Sequence, residues 1–242
     1  MPRVYIDIAI GDIDKYADEQ LRYNKAKSWV AQWATTYGLN DQDLDKLEDQ
    51  DRETVRDILA NDPTAQQEKW SVDAPPSLGG GRLELELYDQ RCPKTCDNFV
   101  ALCQGGKIGK SSKKALHYKS THLFRLVPNF MIQGGDVTRD DGSGGDSIYS
   151  GKFNDEKTGL LKFIKKGQLA MANSGKNTNT SQFFITLKDR EDNPKVFDKI
   201  NGKYVIFGQV IDGLSVLDEI NNIPVENETP KIDIVIVDCG LL

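Results

Sequence analysis

From His122 to Asp136 the chain reads His-Leu-Phe-Arg-Leu-Val-Pro-Asn-Phe-Met-Ile-Gln-Gly-Gly-Asp, and these residue types suit gripping a ligand better than cutting a bond. Two short apolar runs, 122–127 and 130–132, flank Pro128-Asn129, the pattern of two strands meeting at a turn. Alternation brings Arg125, Phe130 and Gln133 toward one surface, and Gly134-Gly135 lets the backbone bend beside them. A guanidinium beside apolar rings and an amide outlines a binding pocket. It is not an acid–base pair, a nucleophile elbow or a metal cage.

A second stretch, from Gly167 to Leu187, reads as strand, polar Gly/Asn loop and strand. Together the two segments resemble the cyclophilin family of peptidyl-prolyl isomerases. Further matches are Arg3-Val-Tyr-Ile-Asp-Ile-Ala-Ile10, Gly81-Arg-Leu-Glu-Leu-Glu-Leu87, Pro93-Lys-Thr-Cys-Asp-Asn-Phe-Val-Ala-Leu-Cys103, Tyr204-Val-Ile-Phe-Gly-Gln-Val210 and Asp238-Cys-Gly240. The likeness covers residues 1–11 and 81–242, all of the chain outside one block.

The resemblance implies an activity: cis-trans isomerisation of Xaa-Pro bonds in peptides and proteins, a service to protein folding of the chaperone kind. It implies no cofactor, metal or covalent intermediate. Arg125, Gln133 and Asn173 would be the catalytic residues, with Thr178 and Gln182 as supports. Phe130, Met131, Ala172 and Phe184 would line the proline site, and Gly142-Ser-Gly-Gly145, Ser174 and Lys152 would border a neighbouring subsite. Where the family usually carries a tryptophan, a leucine and then a histidine, counting back from Gly202 gives Lys199, Ile200 and Tyr204. Ile200 and Tyr204 can still wall the pocket, and Phe197 is an alternative to Lys199 because the connection from Ile185 is longer than usual. Cyclosporin is therefore expected to bind weakly.

The loop from Gly105 to Lys119 resembles the extended loop of the divergent-loop cyclophilins. In that subgroup a cysteine ending the preceding helix and one in the final strand are linked to redox control, and Cys103 and Cys239 hold the matching positions. Both would serve equally as buried small hydrophobes.

The elements that must position these residues follow from periodicity. Strands are expected near 82–88, 121–135, 163–172, 180–187, 204–210 and 231–238, with helices near 93–105 and 213–222. The resemblance makes this mainly β: a closed eight-stranded antiparallel barrel capped by two α-helices. Residues 12–80 interrupt that plan. Tyr16, Ala26, Trp29, Val30, Trp33, Ala34 and Tyr37 recur at helical spacing up to Gly38, and a second helix is expected over 41–60, giving an inserted α-helical hairpin. The domains are then 1–11 with 81–242, the isomerase-like part, and 12–80, an acidic insertion.

Charge separates the two. Residues 12–80 carry 15 acidic and 8 basic side chains, net −7, which leaves the rest at +1 within a total of −6. No basic, aromatic-interleaved patch stands out, so nucleic acid is not an expected partner. All three tryptophans lie in the insertion. They either anchor it or form a docking surface for a protein partner. Asp41-Gln-Asp-Leu-Asp45 fails as a calcium loop, because Lys46 and Arg52 stand where glycine and glutamate are needed. Cys92 and Cys96 have the wrong spacing for a Cys-x-x-Cys site, and four cysteines do not make a disulfide framework. With no run near the ~18 apolar residues of a membrane span and a strand directly after the N-terminus, the expected setting is cytoplasmic, with nuclear entry open to a chain this small.

Overall fold

Alternation organises the sheet from its first strand. In β1 (Arg3–Ile10) of the computed structural model, which describes residues 1–242, Val4, Ile6 and Ile8 are buried at every second position. The helices and strands that follow are α1 (Ile13–Tyr37), α2 (Asp49–Ala60), α3 (Pro63–Glu68), β2 (Gly79–Leu87), α4 (Pro93–Gln104), β3 (Lys107–Ile108), β4 (Ala115–Leu116), β5 (Arg125–Val127) and β6 (Met131–Gly134). Then come β7 (Gln168–Met171), β8 (Phe183–Thr186), α5 (Pro194–Ile200), β9 (Ile206–Asp212), α6 (Leu214–Asn221), β10 (Val225–Glu226), β11 (Thr229–Pro230) and β12 (Ile234–Leu241). The chain divides into two compact units, Met1–Gly11 with Gly79–Leu242, and Asp12–Leu78. No helix is long and apolar enough to cross a membrane.

The first unit is an antiparallel eight-stranded sheet in the order β12-β1-β2-β9-β7-β8-β6-β5. In β2, Leu83, Leu85 and Leu87 point into the core while Glu84 and Glu86 point out. Helix α4 adds Phe99 and Leu102, and α6 adds Val216, Leu217 and Ile220. At the centre the ring of Phe99 lies 5.1 Å from Tyr118, 5.3 Å from Phe183 and 5.1 Å from Phe207.

Contrary to the closed barrel expected, the sheet is an open half-barrel. Its last strand explains the gap. Pro128 cuts β5 to three residues, Asn129 turns the chain at φ 61°, and no ladder runs from β5 to β12. The seam is bridged irregularly instead: Ser120 N donates to Ile236 O (2.7 Å) and Leu123 N to Ile234 O (2.8 Å). The outer edge of β5 is taken by the β10–β11 hairpin, with Leu126 N donating to Glu228 O at 2.7 Å. The two expected capping helices, α4 and α6, have a third companion. Helix α5 lies in the long connection after Ile185, to which no element was assigned, and is begun by Asn193-Pro194 with the proline at the first helical position.

The second unit has three α-helices where a hairpin was expected. Asp12 caps α1 by accepting from Lys15 N (2.9 Å), and Gly38 ends it in the left-handed conformation at φ 67°. Tyr23, Ala26, Val30 and Ala34 form its buried stripe. The second helix starts at Asp49, not near 41. Asp41 and Asp43 instead take the backbone N–H groups two residues on, Asp43 N (2.9 Å) and Asp45 N (3.2 Å), which competes with helix formation. A short 3-10 turn, Leu44–Lys46, replaces that part of the helix, and Leu44 and Leu47 plug the α1 stripe together with Val55, Leu59, Ala65 and Val72. Asp62 caps α3 through Ala65 N. Trp29 and Trp70 rest on this core, whereas Trp33 stands exposed.

Candidate active site

The pleat of β5, β6, β8 and β7 sends alternate residues to opposite faces. Ile132, Ile185 and Leu169 enter the sheet core, whereas Gln133, Phe184 and Ala170, mutually paired across β6, β8 and β7, face the other way. Arg125 is the cross-strand partner of Gln133, so one row runs Arg125, Gln133, Phe184, Ala170. Met131, two residues before Gln133, lies on the same side. Here a guanidinium, an amide and a phenyl ring stand in line on a rigid sheet.

Below Gln133 the row joins an apolar cluster separate from the main core. Met131, Phe163, Ala170, Phe184, Phe197 and Ile206 are buried in it, and Phe130, Ala172, Ile200 and Tyr204 are half-buried at its rim. The rings interlock: Phe130 to Phe197 at 5.6 Å edge-on, Phe163 to Phe184 at 5.6 Å stacked, and Phe184 to Tyr204 at 5.3 Å edge-on. Every residue assigned by resemblance to the proline site therefore falls in one cluster. Lys199 does not. It is exposed on α5, and Phe197, fully buried one turn-face away, fills the apolar position. Of the three positions counted back from Gly202, Ile200 and Tyr204 join the cluster and Lys199 does not; Phe197, the alternative, faces it from α5.

Above the row the contacts are polar and continuous. Arg125 Nη1 donates to Gln133 Oε1 (3.2 Å), Gln133 Nε2 to Gln182 Oε1 (2.9 Å), and Gln182 Nε2 to the carbonyls of Gly142 (2.9 Å) and Gly144 (2.7 Å). That glycine loop is tied to Asp136, whose buried carboxylate accepts from Thr138 N, Thr138 Oγ1, Arg139 N, Gly142 N and Gly144 N at 2.9–3.1 Å. Burial alone would push this carboxyl up. The backbone donors of Arg139, Gly144 and Thr138 outweigh it and hold the group below the usual aspartate range. Sequence reasoning ended its motif on Asp136 without giving it a task. The signal available was an acid directly after Gly-Gly.

A cavity of about 810 Å³ lies beside the apolar cluster and not within it. Gln133, Ala172, Asn173 and Gln182 line it together with Arg139 and Lys152, so the cavity and the apolar cluster share Ala172. Asn173 is held by its own side chain: Nδ2 donates to Lys203 O (3.3 Å), beside Tyr204, and Oδ1 accepts from Gly175 N (3.2 Å). Thr178 Oγ1 accepts from Ser174 N at 2.9 Å. The arrangement can hold an extended peptide with one apolar ring buried and a donor array above it. Glu228, 103 residues from Arg125, also reaches it, with Arg125 Nε donating to Glu228 Oε2 at 2.7 Å. No sequence signal linked the two.

Cys103 lies in the last turn of α4 and Cys239 in β12, both buried, with Cys239 Sγ 3.3 Å from Cys103 O. Burial, with the Cys239 side chain beside it, pushes the Cys103 thiol well up. Cys92 and Cys96 donate toward Ile206 O and Phe207 O as core residues, and burial pushes the Cys92 thiol up to about 12.

A model of the family described as cyclophilin type peptidyl-prolyl cis-trans isomerase/CLD matches residues 76–241. The NK-tumor recognition proteins of Mus musculus and Homo sapiens are each 44% identical over 164 residues, 67% of this chain. This chain spans 11% of the length of those relatives. The crystal structure of a Cryptosporidium parvum cyclophilin type peptidyl-prolyl cis-trans isomerase superposes with a TM-score of 0.56 at 39% identity, covering 67% of this chain and 91% of that one.

Proposed function

The chain belongs to the cyclophilin-type peptidyl-prolyl cis-trans isomerases, and we propose that it accelerates Xaa-Pro isomerisation in peptide and protein substrates through the Arg125 row. The uncatalysed bond turns slowly because rotation breaks C–N resonance, a barrier of roughly 18–20 kcal/mol. As the amide twists, its nitrogen regains a lone pair that a fixed donor can meet. Arg125 supplies that donor, since guanidinium stays charged at any working pH and is held in place by Gln133. The proline ring enters the apolar cluster of Phe130, Met131, Phe184, Ile200 and Tyr204. The flanking peptide runs along Ala172 and Asn173 as an added extended strand. Neither proton transfer nor a covalent intermediate is required.

The observation that carries this reading is the register pair Arg125–Gln133 directly beside Phe184 and its cluster. A protease-coupled or NMR exchange assay on a blocked Xaa-Pro peptide tests it, with Arg125→Ala as control. Catalysis by the wild-type protein, lost in the variant, is expected. Equal exchange with and without micromolar protein would overturn the reading.

A second role belongs to the unit Asp12–Leu78. Leu21, Trp33 and Tyr37 stand exposed on α1, which favours recruitment of a protein partner over a purely structural insertion. Ile10 and Gly79 are ladder partners, so a two-residue turn can replace the unit without stretching the sheet. Such a deletion is expected to keep peptide isomerisation while losing proteins that co-purify with the full chain. Retention of those proteins would refute the role.

A further inference from the structure

Tip residues of the β10–β11 hairpin are backbone outliers. The pairs Val225–Pro230 and Glu226–Thr229 leave Asn227 and Glu228 as a two-residue turn, and both adopt positive φ, 50° and 64°. Such turns favour asparagine and glycine. Glutamate gains nothing locally from that conformation and carries its steric cost. What holds it is the contact it makes. Glu228 O accepts from Leu126 N at 2.7 Å, docking the turn on the edge of β5, and Glu228 Oε2 accepts from Arg125 Nε at 2.7 Å. A glycine would relax the turn but would carry no carboxylate.

The consequence falls on the guanidinium. Arg125 sits at the open edge of the half-barrel and is about half exposed, with a side-chain relative exposure of 45%. A free arginine there would sample many rotamers. Two anchors restrain it: Glu228 on Nε and Gln133 on Nη1. Together they fix the plane of the group and leave the Nη2 donors uncommitted. Two effects of the carboxylate oppose each other. It orients the donor, and it partly cancels the donor's charge. At this exposure solvent screens the second effect, whereas orientation is not screened, so orientation dominates.

We infer that Glu228 is a positioning residue for catalysis, the strained hairpin turn presenting a carboxylate that pre-aims Arg125 at the twisted prolyl amide. The inference rests on the isomerase reading proposed above. It assigns the open seam a purpose: the edge of β5 that lacks a barrel partner is where the hairpin reaches the catalytic side chain.

Glu228→Gly separates this role from a structural one, because glycine suits the positive φ and should leave stability equal or higher. Wild type, Arg125→Ala, Glu228→Gly and Glu228→Gln are assayed on an uncharged blocked Xaa-Pro peptide, with thermal unfolding of each. For Glu228→Gly a fall of roughly threefold in kcat with KM little changed is expected, the scale of one exposed ion pair. Glu228→Gln, which keeps an acceptor oxygen, should lie between it and wild type. NMR of the Arg125 Nε–H should show slow exchange in wild type and fast exchange in Glu228→Gly. Activity of Glu228→Gly equal to or above wild type, or unchanged Nε–H exchange, would overturn the inference. If wild type and Arg125→Ala are equally inactive, the isomerase reading fails instead, and the Nε–H exchange still decides whether Glu228 positions Arg125.

Discussion

Asp136→Asn is a near-isosteric change whose cost can be worked from the contacts. One carboxylate oxygen, Oδ1, accepts from Thr138 N, Thr138 Oγ1 and Arg139 N, and the other, Oδ2, from Gly142 N and Gly144 N. Whichever side the amide nitrogen takes, it meets donors with a donor. The less costly orientation turns the nitrogen toward Gly142 and Gly144 and strands two backbone N–H groups. At about 1–3 kcal/mol for each buried donor left unpaired, the loss is about 3 kcal/mol after partial relaxation. The glycine loop then releases Gln182, and Gln133 and Arg125 lose their support, for a fall in kcat/KM of roughly tenfold. The pH sign follows from the depressed carboxyl. Its stabilisation is fully present above the ordinary aspartate value of 3.8 and is lost as pH falls through the lower folded-state value. Urea unfolding of both proteins between pH 7 and pH 2 is the assay. The stability gap should be widest near neutrality and should close below pH 3.8. A gap under about 0.5 kcal/mol at pH 7, within the range of an ordinary surface change, or one that does not narrow with acid, would refute the reasoning.

Phe197→Ala should destabilise the protein by about 3–5 kcal/mol and lower kcat/KM, whereas Phe197→Leu should cost about 1 kcal/mol, both read by urea unfolding and peptide isomerisation. Cyclosporin should bind roughly three- to tenfold more weakly than to a family member with tryptophan, since Phe197 offers a ring but no N–H donor; calorimetry against such a protein decides it. Treatment with a two-electron oxidant such as hydrogen peroxide should join Cys103 and Cys239 and reduce activity reversibly. Disulfide mapping with assays before and after reduction checks this, and free thiols under oxidant would leave both as core residues.

Local pattern carried most of the sheet. The Leu83, Leu85, Leu87 alternation and the strand pair around Pro128 could be read directly, because burial on one face imposes a period of two. Alternation also brought Arg125 and Gln133 to one surface, whereas the place of Phe184 beside them, opposite Ile132 and Ile185, came from the strand register. Three features resisted for different reasons. Asp41 and Asp43 look like a favourable first helical turn, yet their short carboxylates capture the backbone before a helix can. Between Lys199 and Phe197 spacing alone could not choose, because residues 194–200 are helical and only Phe197 turns to the cluster, whereas Ile200 and Tyr204 join it as counted. The seam depends on how far β5 extends, and a strand cut by proline gives no sign of which hairpin will take its edge. Glu228 is the extreme case. Its meaning depends on a partner 103 residues away and on a φ that sequence does not display.

The pairing of Ile10 with Gly79 bears on the order of assembly. β1 and β2 form the ladder that the rest of the sheet extends from, and they are normally the easiest strands to join when a tight turn links them. Here Asp12–Leu78 stands between them. As an unstructured loop it would raise the entropic cost of closing that ladder by about 3 kcal/mol over a two-residue turn. Once the insertion has collapsed on its own core, the chain left to close is effectively shorter and part of that cost disappears. Folding of the helical unit should therefore ease closure of the β1–β2 ladder, and conditions that unfold it should slow refolding of the sheet even when its final structure is unchanged.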